Sequence, residues 1–330
     1  PRIILRRPPC PTPRQGRRQR QMCIRDRYFN ASNVVALSEA IEKNYSDYRS
    51  WFHQAFEMAG FELMFLDQYW DQLNTEIDQD HYALVFNINS LVSGAVLKPA
   101  PGQEGPELFQ MAAKEGYRML TLDEYLTFCD FLLQKNLENG VVCLKNSMAY
   151  SRSIYYEKVS KELAADLYVL PSSELSPEEA RKISDFVFHW IIEKSVEYKL
   201  PIQIHTGYLA GNGNTLDNSH PLKLNNLFLD YPEARFVLFH GGFPWTGEYG
   251  AFGKMFPNVY LDLVWLPQIS RERAVLALDE MLDLVPYNKF FWGGDCAFIE
   301  ESTGSLEFGR SVVAEVLDMR ISRGLLTEEV

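Results

Sequence analysis

The chain contains 330 residues, of which 46% are apolar and 23% are charged, and such a chain can bury a core large enough for one large α/β domain or two ordinary ones. No window approaches the roughly 18 to 20 consecutive apolar residues that a membrane-spanning helix needs, so we expect no membrane segment. Nine of the 32 basic residues but only one of the 44 acidic residues lie in residues 1–27, so the net charge of −12 becomes −20 over residues 28–330, and a body this acidic should repel nucleic acid.

Residues 1–27 differ from everything that follows, because they combine Pro with a dense run of Arg and show no sustained apolar periodicity. The string QMCIRDR in this segment resembles translated sequencing-adapter read-through. We therefore expect residues 1–27 to be a non-native or disordered segment and residues 28–330 to form the folded domain. An arginine-rich arm that binds nucleic acid is the alternative interpretation.

From about residue 33 onward, amphipathic stretches alternate with short apolar runs. Apolar residues at three- and four-residue spacing predict helices, and the short runs, rich in β-branched and aromatic residues, predict buried strands. The predicted helices cover about 32–45, 48–60, 119–137, 155–199, 222–231, 248–256, 271–284 and the region from about 304 onward. The predicted strands cover 61–67, 82–92, 140–146, 201–207, 235–242, 258–264 and 289–295.

This alternation predicts an α/β fold in which helical crossovers join parallel strands. Such strands form either an open doubly wound sheet or an eight-stranded (β/α)₈ TIM barrel. We favour the barrel, because no Gly-rich phosphate loop follows a strand and several strands end in a polar residue, as barrel strands do at their carboxyl face. Only seven strands are predicted, so we expect the barrel to lack its native first strand, which would precede residue 28.

Three polar residues follow predicted strands in the same way. His205, His240 and Asp295 stand directly after apolar runs, in IQIHTG, VLFHGG and FWGGDC. In a barrel they would converge at the mouth. Two imidazoles and a carboxylate suit a divalent metal, with zinc as the first choice and manganese as the alternative. Such a metal acidifies a bound water, and Asp295 can hold the metal or shuttle the proton.

The strings HTG, FHGGFPW and WGGD at these positions resemble the amidohydrolase superfamily, in its amidohydrolase-related (amidohydrolase 2) branch, over about residues 60–330. The resemblance implies a (β/α)₈ barrel in which His205 binds metal, His240 binds a second metal or activates the water, and Asp295 binds metal and moves protons. The family's His-x-His motif at the end of strand one has no counterpart in this chain. We therefore expect weaker metal binding than in a complete family site.

Four further residues are candidates for contact with the substrate. Lys145 ends the predicted strand 140–146 and forms one polar cluster with Tyr150 and Arg152, which follow it, and His220 lies in the loop after strand 201–207. Three of the four have a structural alternative. Lys145 could be a surface lysine, Arg152 could form a salt bridge with Glu157, and His220 could be a turn residue before Pro. Trp245, Trp265 and Trp292 could wall the pocket or pack in the core.

The leading functional hypothesis is metal-dependent hydrolysis of a C–N, ester or lactone bond in a small molecule. A substrate that carries a carboxylate is one form of this hypothesis. Non-oxidative decarboxylation in the same superfamily and a catalytically inactive barrel used for binding are the alternatives. A small-molecule substrate is the expected partner, and homo-oligomerisation stays open.

Cysteine usage bears on the compartment. Five cysteines without a CxxC pair, namely Cys10, Cys23, Cys129, Cys143 and Cys296, argue against a disulfide framework or a structural zinc site. A reducing, cytoplasmic setting fits this pattern best.

Overall fold

The computed structural model describes residues 34–69, 71, 73–99 and 105–327. The chain divides after Gly60 into two units. The predictions for residues 1–27 concern a segment outside the described residues and stay predictions. In the part of the chain that the structure describes, no helix is both long and apolar enough to cross a membrane.

The described part of the first unit consists of two helices, as predicted for this region. Helix α1 spans Val34–Tyr45 and α2 spans Tyr48–Ala59. Helix α2 begins at a cap in which the Asp47 side chain accepts a hydrogen bond from the amide of Ser50 at 3.2 Å. It ends at Gly60, whose φ of 72° is the left-handed conformation that terminates many helices.

The second unit is built on one sheet of seven parallel strands, each hydrogen-bonded to the next in chain order. The strands are β1 (Met64–Asp67), β2 (Tyr82–Asn87), β3 (Cys143–Asn146), β4 (Ile202–Ile204), β5 (Phe236–Leu238), β6 (Val259–Asp262) and β7 (Phe290–Phe291). The predicted α/β class and the seven strands are confirmed. Among the described residues, β1 and β7 each pair on one side only, so these residues do not close an eight-stranded barrel. The absence of a native first strand stays a prediction.

Helices connect the strands. They are α3 (Asn89–Gly94), α4 (Glu107–Lys114), α5 (Leu122–Glu138), α6 (Lys161–Tyr168), α7 (Pro177–Glu197), α8 (Asn225–Asp230), α9 (Thr246–Met255), α10 (Leu266–Ile269), α11 (Arg271–Leu284) and α12 (Ile299–Ser322). Short 3₁₀ turns cover Met148–Tyr150, Leu216–Ser219, Pro221–Leu224, His240–Gly242 and Tyr287–Lys289. Helix α11 matches its predicted bounds, 271–284.

Two predicted elements were wrong over much of their length. The strand predicted over 82–92 stops at Asn87, because the Asn87 side chain accepts the amide of Asn89 at 3.1 Å and turns the chain into α3. The helix predicted over 155–199 is two helices, since the chain leaves α6 after Tyr168 and α7 begins at a capping box on Ser176 with a proline in its first turn. Helix α4 was not predicted.

The centre of the sheet is fully buried. Six apolar side chains of β4, β5 and β6 have no exposed surface: Ile202, Ile204, Phe236, Leu238, Val259 and Leu261. Burial of one such side chain contributes about 1.5–3 kcal/mol. The strands are therefore held firmly, and the residues that follow their carboxyl ends start from fixed positions.

Candidate active site at the carboxyl edge of the sheet

Ionisable side chains collect where six of the strands end. Asp67 ends β1, Lys145 lies in the last half of β3, His205 follows β4 directly, His240 follows β5 by two residues, Asp262 ends β6 and Asp295 follows β7. Because parallel strands present their carboxyl ends at one edge, this edge carries all six groups. The convergence expected for His205, His240 and Asp295 is what the strand order provides.

His205 and His240 face each other across neighbouring strands. Nδ1 of His205 lies 3.0 Å from Nε2 of His240. The outer nitrogens contact backbone carbonyls: Nε2 of His205 is 2.9 Å from the oxygen of Tyr208, and Nδ1 of His240 is 3.2 Å from the oxygen of Val264. A carbonyl only accepts, so each outer nitrogen that donates carries the proton of its neutral ring. Each inner nitrogen then presents an electron pair to the other ring.

Two facing electron pairs at this distance require a positive charge between them or the loss of one outer hydrogen bond. With one proton on each outer nitrogen, a third proton between the two inner nitrogens would make one ring cationic. Burial, reinforced by the charge of Lys145, lowers the pKa of His240 to about 3. Burial also lowers the pKa of His205 well below its ordinary value, with the charges of His240 and Lys145 acting in the same direction. At neutral pH the pair therefore consists of two neutral imidazoles whose inner nitrogens face each other at 3.0 Å.

Asp295 supplies the nearest carboxylate to this pair. Its Oδ2 lies 3.7 Å from Nε2 of His240, and its side chain is 45% exposed. The alternative that Asp295 caps the following helix is wrong, because α12 begins at Ile299 after Phe298 and has no side-chain cap. The carboxylate therefore reaches both solvent and the neighbourhood of the imidazole pair.

Lys145 is a buried residue rather than the surface lysine of the alternative interpretation. It is 4% exposed, and its Nζ lies 3.2 Å from the centre of the Phe239 ring. Burial lowers the pKa of Lys145, and the negative charges of Asp295, Asp67 and Asp262 oppose that shift without cancelling it. The site thus contains an amine that is easier to deprotonate than an ordinary lysine.

Asp67 and Asp262 were not predicted from the sequence as site residues. Burial raises the pKa of Asp262 to about 7, although the amide of Val264 donates to its Oδ1 at 2.8 Å and Lys145 attracts it. Burial likewise raises the pKa of Asp67, which receives 3.2 Å hydrogen bonds from the Asn87 amide at both oxygens. The available signal was a single acid at the end of an otherwise apolar strand, in FELMFLD and NVYLDLV.

Tyr150 lies beside His205 of the imidazole pair. Its ring meets the ring of His205 edge-on, with centres 4.8 Å apart, and its hydroxyl accepts the amide of Ala210 at 3.2 Å. His220 has both a turn role and an aromatic contact. Its Nδ1 accepts the amide of Leu222 at 3.2 Å, and its ring lies 4.1 Å from that of Trp245.

Arg152 is committed to a buried acid on α7. Its Nη2 donates to Oδ1 of Asp185 at 2.5 Å and to the carbonyl of Tyr155 at 2.9 Å, and its guanidinium lies 4.8 Å from the centre of the Tyr156 ring. The salt-bridge alternative named Glu157, but Glu157 contributes its backbone amide to Asp185 instead. A role of Arg152 in substrate binding stays a prediction.

The strand ends of the site are strained. His240, Trp265 and Asp295 adopt left-handed φ values of 64°, 64° and 51°, a conformation that costs most non-glycine residues about 1–2 kcal/mol. The Trp265 ring lies 5.4 Å from that of His240 and walls the site. Trp292 instead packs against Gly309 of α12, as the core interpretation predicts. Strained residues of this kind concentrate at functional sites.

The side chains at this edge of the sheet are of types that suit a divalent ion, namely two histidines and carboxylates. Neutral imidazole nitrogens with a carboxylate are ligands that zinc accepts, and ligating histidines commonly donate their other nitrogen to a carbonyl. The outer nitrogens of His205 and His240 lie within hydrogen-bond distance of such carbonyls. No three His, Cys, Asp or Glu side chains among the described residues are gathered to hold one ion. Asp295 would have to move inward to become the third ligand.

Comparison with known proteins gives one family match and several likenesses of fold. The amidohydrolase family model matches residues 166–317, the segment that carries His205, His240 and Asp295. Protein fluG of Emericella nidulans is 41% identical over 103 residues, which are 31% of this chain. The chain spans only 12% of the length of that relative.

Two solved structures have the same fold at low sequence identity. A candidate metal-dependent hydrolase from Lactobacillus casei ATCC 334 superposes with a TM-score of 0.62 at 15% identity, over 80% of this chain and 67% of its own. Uronate isomerase of Thermotoga maritima gives 0.63 at 12% identity, over 83% and 65%. These likenesses show the fold alone. Residues 166–317 thus resemble the amidohydrolase family, and the motifs HTG, FHGG and WGGD at the strand ends lie within that matched segment.

Proposed function

We propose that this protein is a metal-dependent hydrolase that cleaves a C–N, ester or lactone bond in a small molecule. The match of residues 166–317 to the amidohydrolase family model supports an enzyme of the amidohydrolase superfamily. The type of reaction rests on the edge of the sheet, where two neutral imidazoles, three carboxylates and one buried amine meet. The proposed cofactor is one divalent metal, zinc by preference and manganese as the alternative.

One observation carries the proposal. Nδ1 of His205 and Nε2 of His240 stand 3.0 Å apart, while both outer nitrogens contact carbonyls that can only accept. Burial disfavours the proton that would otherwise join the two inner nitrogens. A metal cation removes the conflict without a further proton, and Asp295 is close enough to add a negatively charged ligand.

A divalent metal of this kind supplies an acidified water and polarises a carbonyl group. His205 and His240 would hold it, each oriented by its backbone carbonyl. Oδ2 of Asp295 accepts the proton of the attacking water and returns it to the leaving group, a task suited to a carboxylate that is partly exposed. Lys145 and Tyr150 bind the substrate beside His205, and His220 contributes from the following loop.

Metal content tests the site directly. Protein expressed with added zinc and manganese should retain about one metal ion per chain, and His205→Ala should lose it. His81→Gln is the matched control, because His81 precedes β2 at the opposite end of the sheet, where its carbonyl pairs with the amide of Met64. Equal metal contents in the parent and in His205→Ala would overturn the metal site.

Activity tests the reaction. A panel of small amides, esters and lactones, with and without a carboxylate, should reveal hydrolysis that depends on added metal and is lost in Asp295→Asn. Asn tolerates the left-handed conformation of residue 295, so this variant should fold. Release of carbon dioxide from unsaturated or aromatic acids without hydrolysis would favour the decarboxylase alternative. Metal binding without turnover of either set would favour a barrel used for binding.

A further inference from the structure

We propose that Tyr150, Tyr208 and Trp265 form an aromatic wall that selects substrates with a flat aryl group that carries no carboxylate. This inference rests on the proposed function, because it names the substrate class of the same site. The three residues lie in the segments that follow β3, β4 and β6. They therefore belong to the carboxyl edge of the sheet, where His205 and His240 also lie.

The rings of these residues and of the imidazole pair form one chain of contacts. The Tyr150 ring meets the His205 ring edge-on with centres 4.8 Å apart, and the rings of His205 and His240 have centres 4.2 Å apart. The Trp265 ring lies edge-on to His240 at 5.4 Å, and the Tyr208 ring lies 5.4 Å from Trp265. A ligand that reaches the imidazole pair therefore meets aromatic surface.

Hydrogen bonds hold the segment that carries Tyr208. The carbonyl oxygen of Tyr208 lies 2.9 Å from Nε2 of His205. Two residues further on, the amide of Ala210 donates to the Tyr150 hydroxyl at 3.2 Å, and the Asn214 side chain donates to the Ala210 carbonyl at 2.7 Å. A ring that is held before binding loses less conformational entropy when a ligand arrives.

The three rings keep accessible surface. Tyr208 is 38% exposed, and Tyr150 and Trp265 are half-buried. By contrast, the core residues Tyr156 and Tyr249 have no exposed surface. Aromatic rings attract one another in edge-to-face and offset arrangements beyond what their buried area provides. Exposed ring surface at the site therefore favours an aryl group over a saturated ring of the same size.

The charges around the site disfavour a carboxylate on that aryl group. Asp67, Asp262 and Asp295 act electrostatically on one shared cation, Lys145, so the acidic side chains outnumber the basic one. Arg152 is engaged in an ion pair with a buried acid of α7. Because like charges placed close together repel, an additional carboxylate on the ligand would be unfavourable.

Ligand binding tests the proposal. The full-length protein is titrated at pH 7 with phenylacetamide and with cyclohexylacetamide, with and without a metal chelator, and the affinities are measured by NMR of the ligands. Phenylacetamide should bind about fivefold or more tightly, since the two compounds differ only in the aromaticity of the ring. With chelator present, it should also bind more tightly than 4-carboxyphenylacetamide. Equal or reversed affinities in either comparison, or no binding of phenylacetamide, overturn the proposal.

Variants of Tyr208 locate the effect. Tyr208→Leu removes the ring but keeps the backbone carbonyl, so the preference for phenylacetamide should fall to about twofold or less. Tyr208→Phe keeps the ring and should keep the preference. So should the matched control Tyr287→Leu, which changes a tyrosine that is 84% exposed and precedes β7. An unchanged preference in Tyr208→Leu overturns the aromatic wall.

The two proposals fail separately. The affinity ratio in the unmodified protein does not depend on whether a variant folds, and in the presence of chelator it depends on neither metal nor turnover. Loss of metal or inactivity in hydrolysis would leave that ratio unchanged. A protein that hydrolyses amides or esters in a metal-dependent way but binds both rings equally would retain the proposed function and lose the aromatic wall.

Discussion

Gly207 lies so close to Phe243 that a β-carbon on Gly207 would stand 2.5 Å from the Phe243 carbonyl oxygen and 2.6 Å from its nitrogen. The turn after β4 therefore passes directly over the backbone of the turn after β5. This contact explains the glycine of the HTG motif. It also allows His205 and His240, the residues that precede the two turns, to approach within 3.0 Å of each other.

Gly207→Ala should destabilise the protein by about 2–5 kcal/mol, from the clash with backbone and from a φ of 75°. The control is Gly213→Ala, since Gly213 has a φ of 81° but nothing within 4 Å of its added β-carbon. That variant should cost only about 1–2 kcal/mol. Urea unfolding measures both. Equal losses would show that the contact with Phe243 has no energetic weight.

Tyr249→Phe should destabilise the protein by about 1–3 kcal/mol, because the buried Tyr249 hydroxyl joins β5 to β6. It donates to the Leu238 carbonyl at 2.7 Å and accepts the amide of Asp262 at 2.5 Å. Tyr287→Phe, at a side chain that is 84% exposed, should change stability by less than about 0.5 kcal/mol. Thermal unfolding of the two variants gives the comparison, and a neutral Tyr249→Phe would contradict this role.

The sequence predicted the sheet well because its strands are short, apolar runs with helices between them. All seven were found, but their lengths were overestimated, since a run such as RFVLFHGG continues in apolar residues after pairing has ended at Leu238. The single helix predicted over 155–199 was wrong because a turn interrupts the amphipathic pattern. The break lies at a turn through Pro171, where the amide of Glu174 bonds to the Pro171 carbonyl, and the amphipathic pattern resumes beyond it.

The site was predictable where a polar residue followed an apolar strand and was missed where tertiary contacts decide its properties. His205, His240 and Asp295 stood out in their motifs. The weight of Asp262 comes from its burial beside Lys145 and its link to Tyr249, and no local pattern reveals either. The commitment of Arg152 to Asp185 likewise joins residues 33 positions apart, which sequence spacing alone could not indicate.

Arg152→Leu should lower the free energy of unfolding by about 3–5 kcal/mol, because Asp185 has no exposed side-chain surface and would lose its cationic partner, keeping only the hydrogen bond from the Glu157 amide. The double variant Arg152→Leu/Asp185→Leu should recover much of that loss. Lys161→Leu, which breaks the exposed pair with Asp123, should cost less than about 1 kcal/mol. Urea unfolding of the set separates the roles: a raised KM at unchanged stability would favour substrate binding by Arg152.

Asp262 should make stability fall as pH rises. Its carboxyl has a pKa of about 7 in the folded protein and an ordinary value of 3.8, so between these values the folded state holds a proton that the unfolded state has lost. The stabilising effect of that proton is complete below about pH 4 and disappears as pH rises through 7.

Asp262→Asn removes this titration and can still accept the amide of Val264. The free energy of unfolding of the parent minus that of the variant should therefore decline between pH 4 and 7 by an amount on the order of 4 kcal/mol. Urea unfolding at each pH measures the difference. A difference that stays constant or rises with pH would mean that Asp262 is ionised in the folded protein and pairs with Lys145, which would then keep its proton.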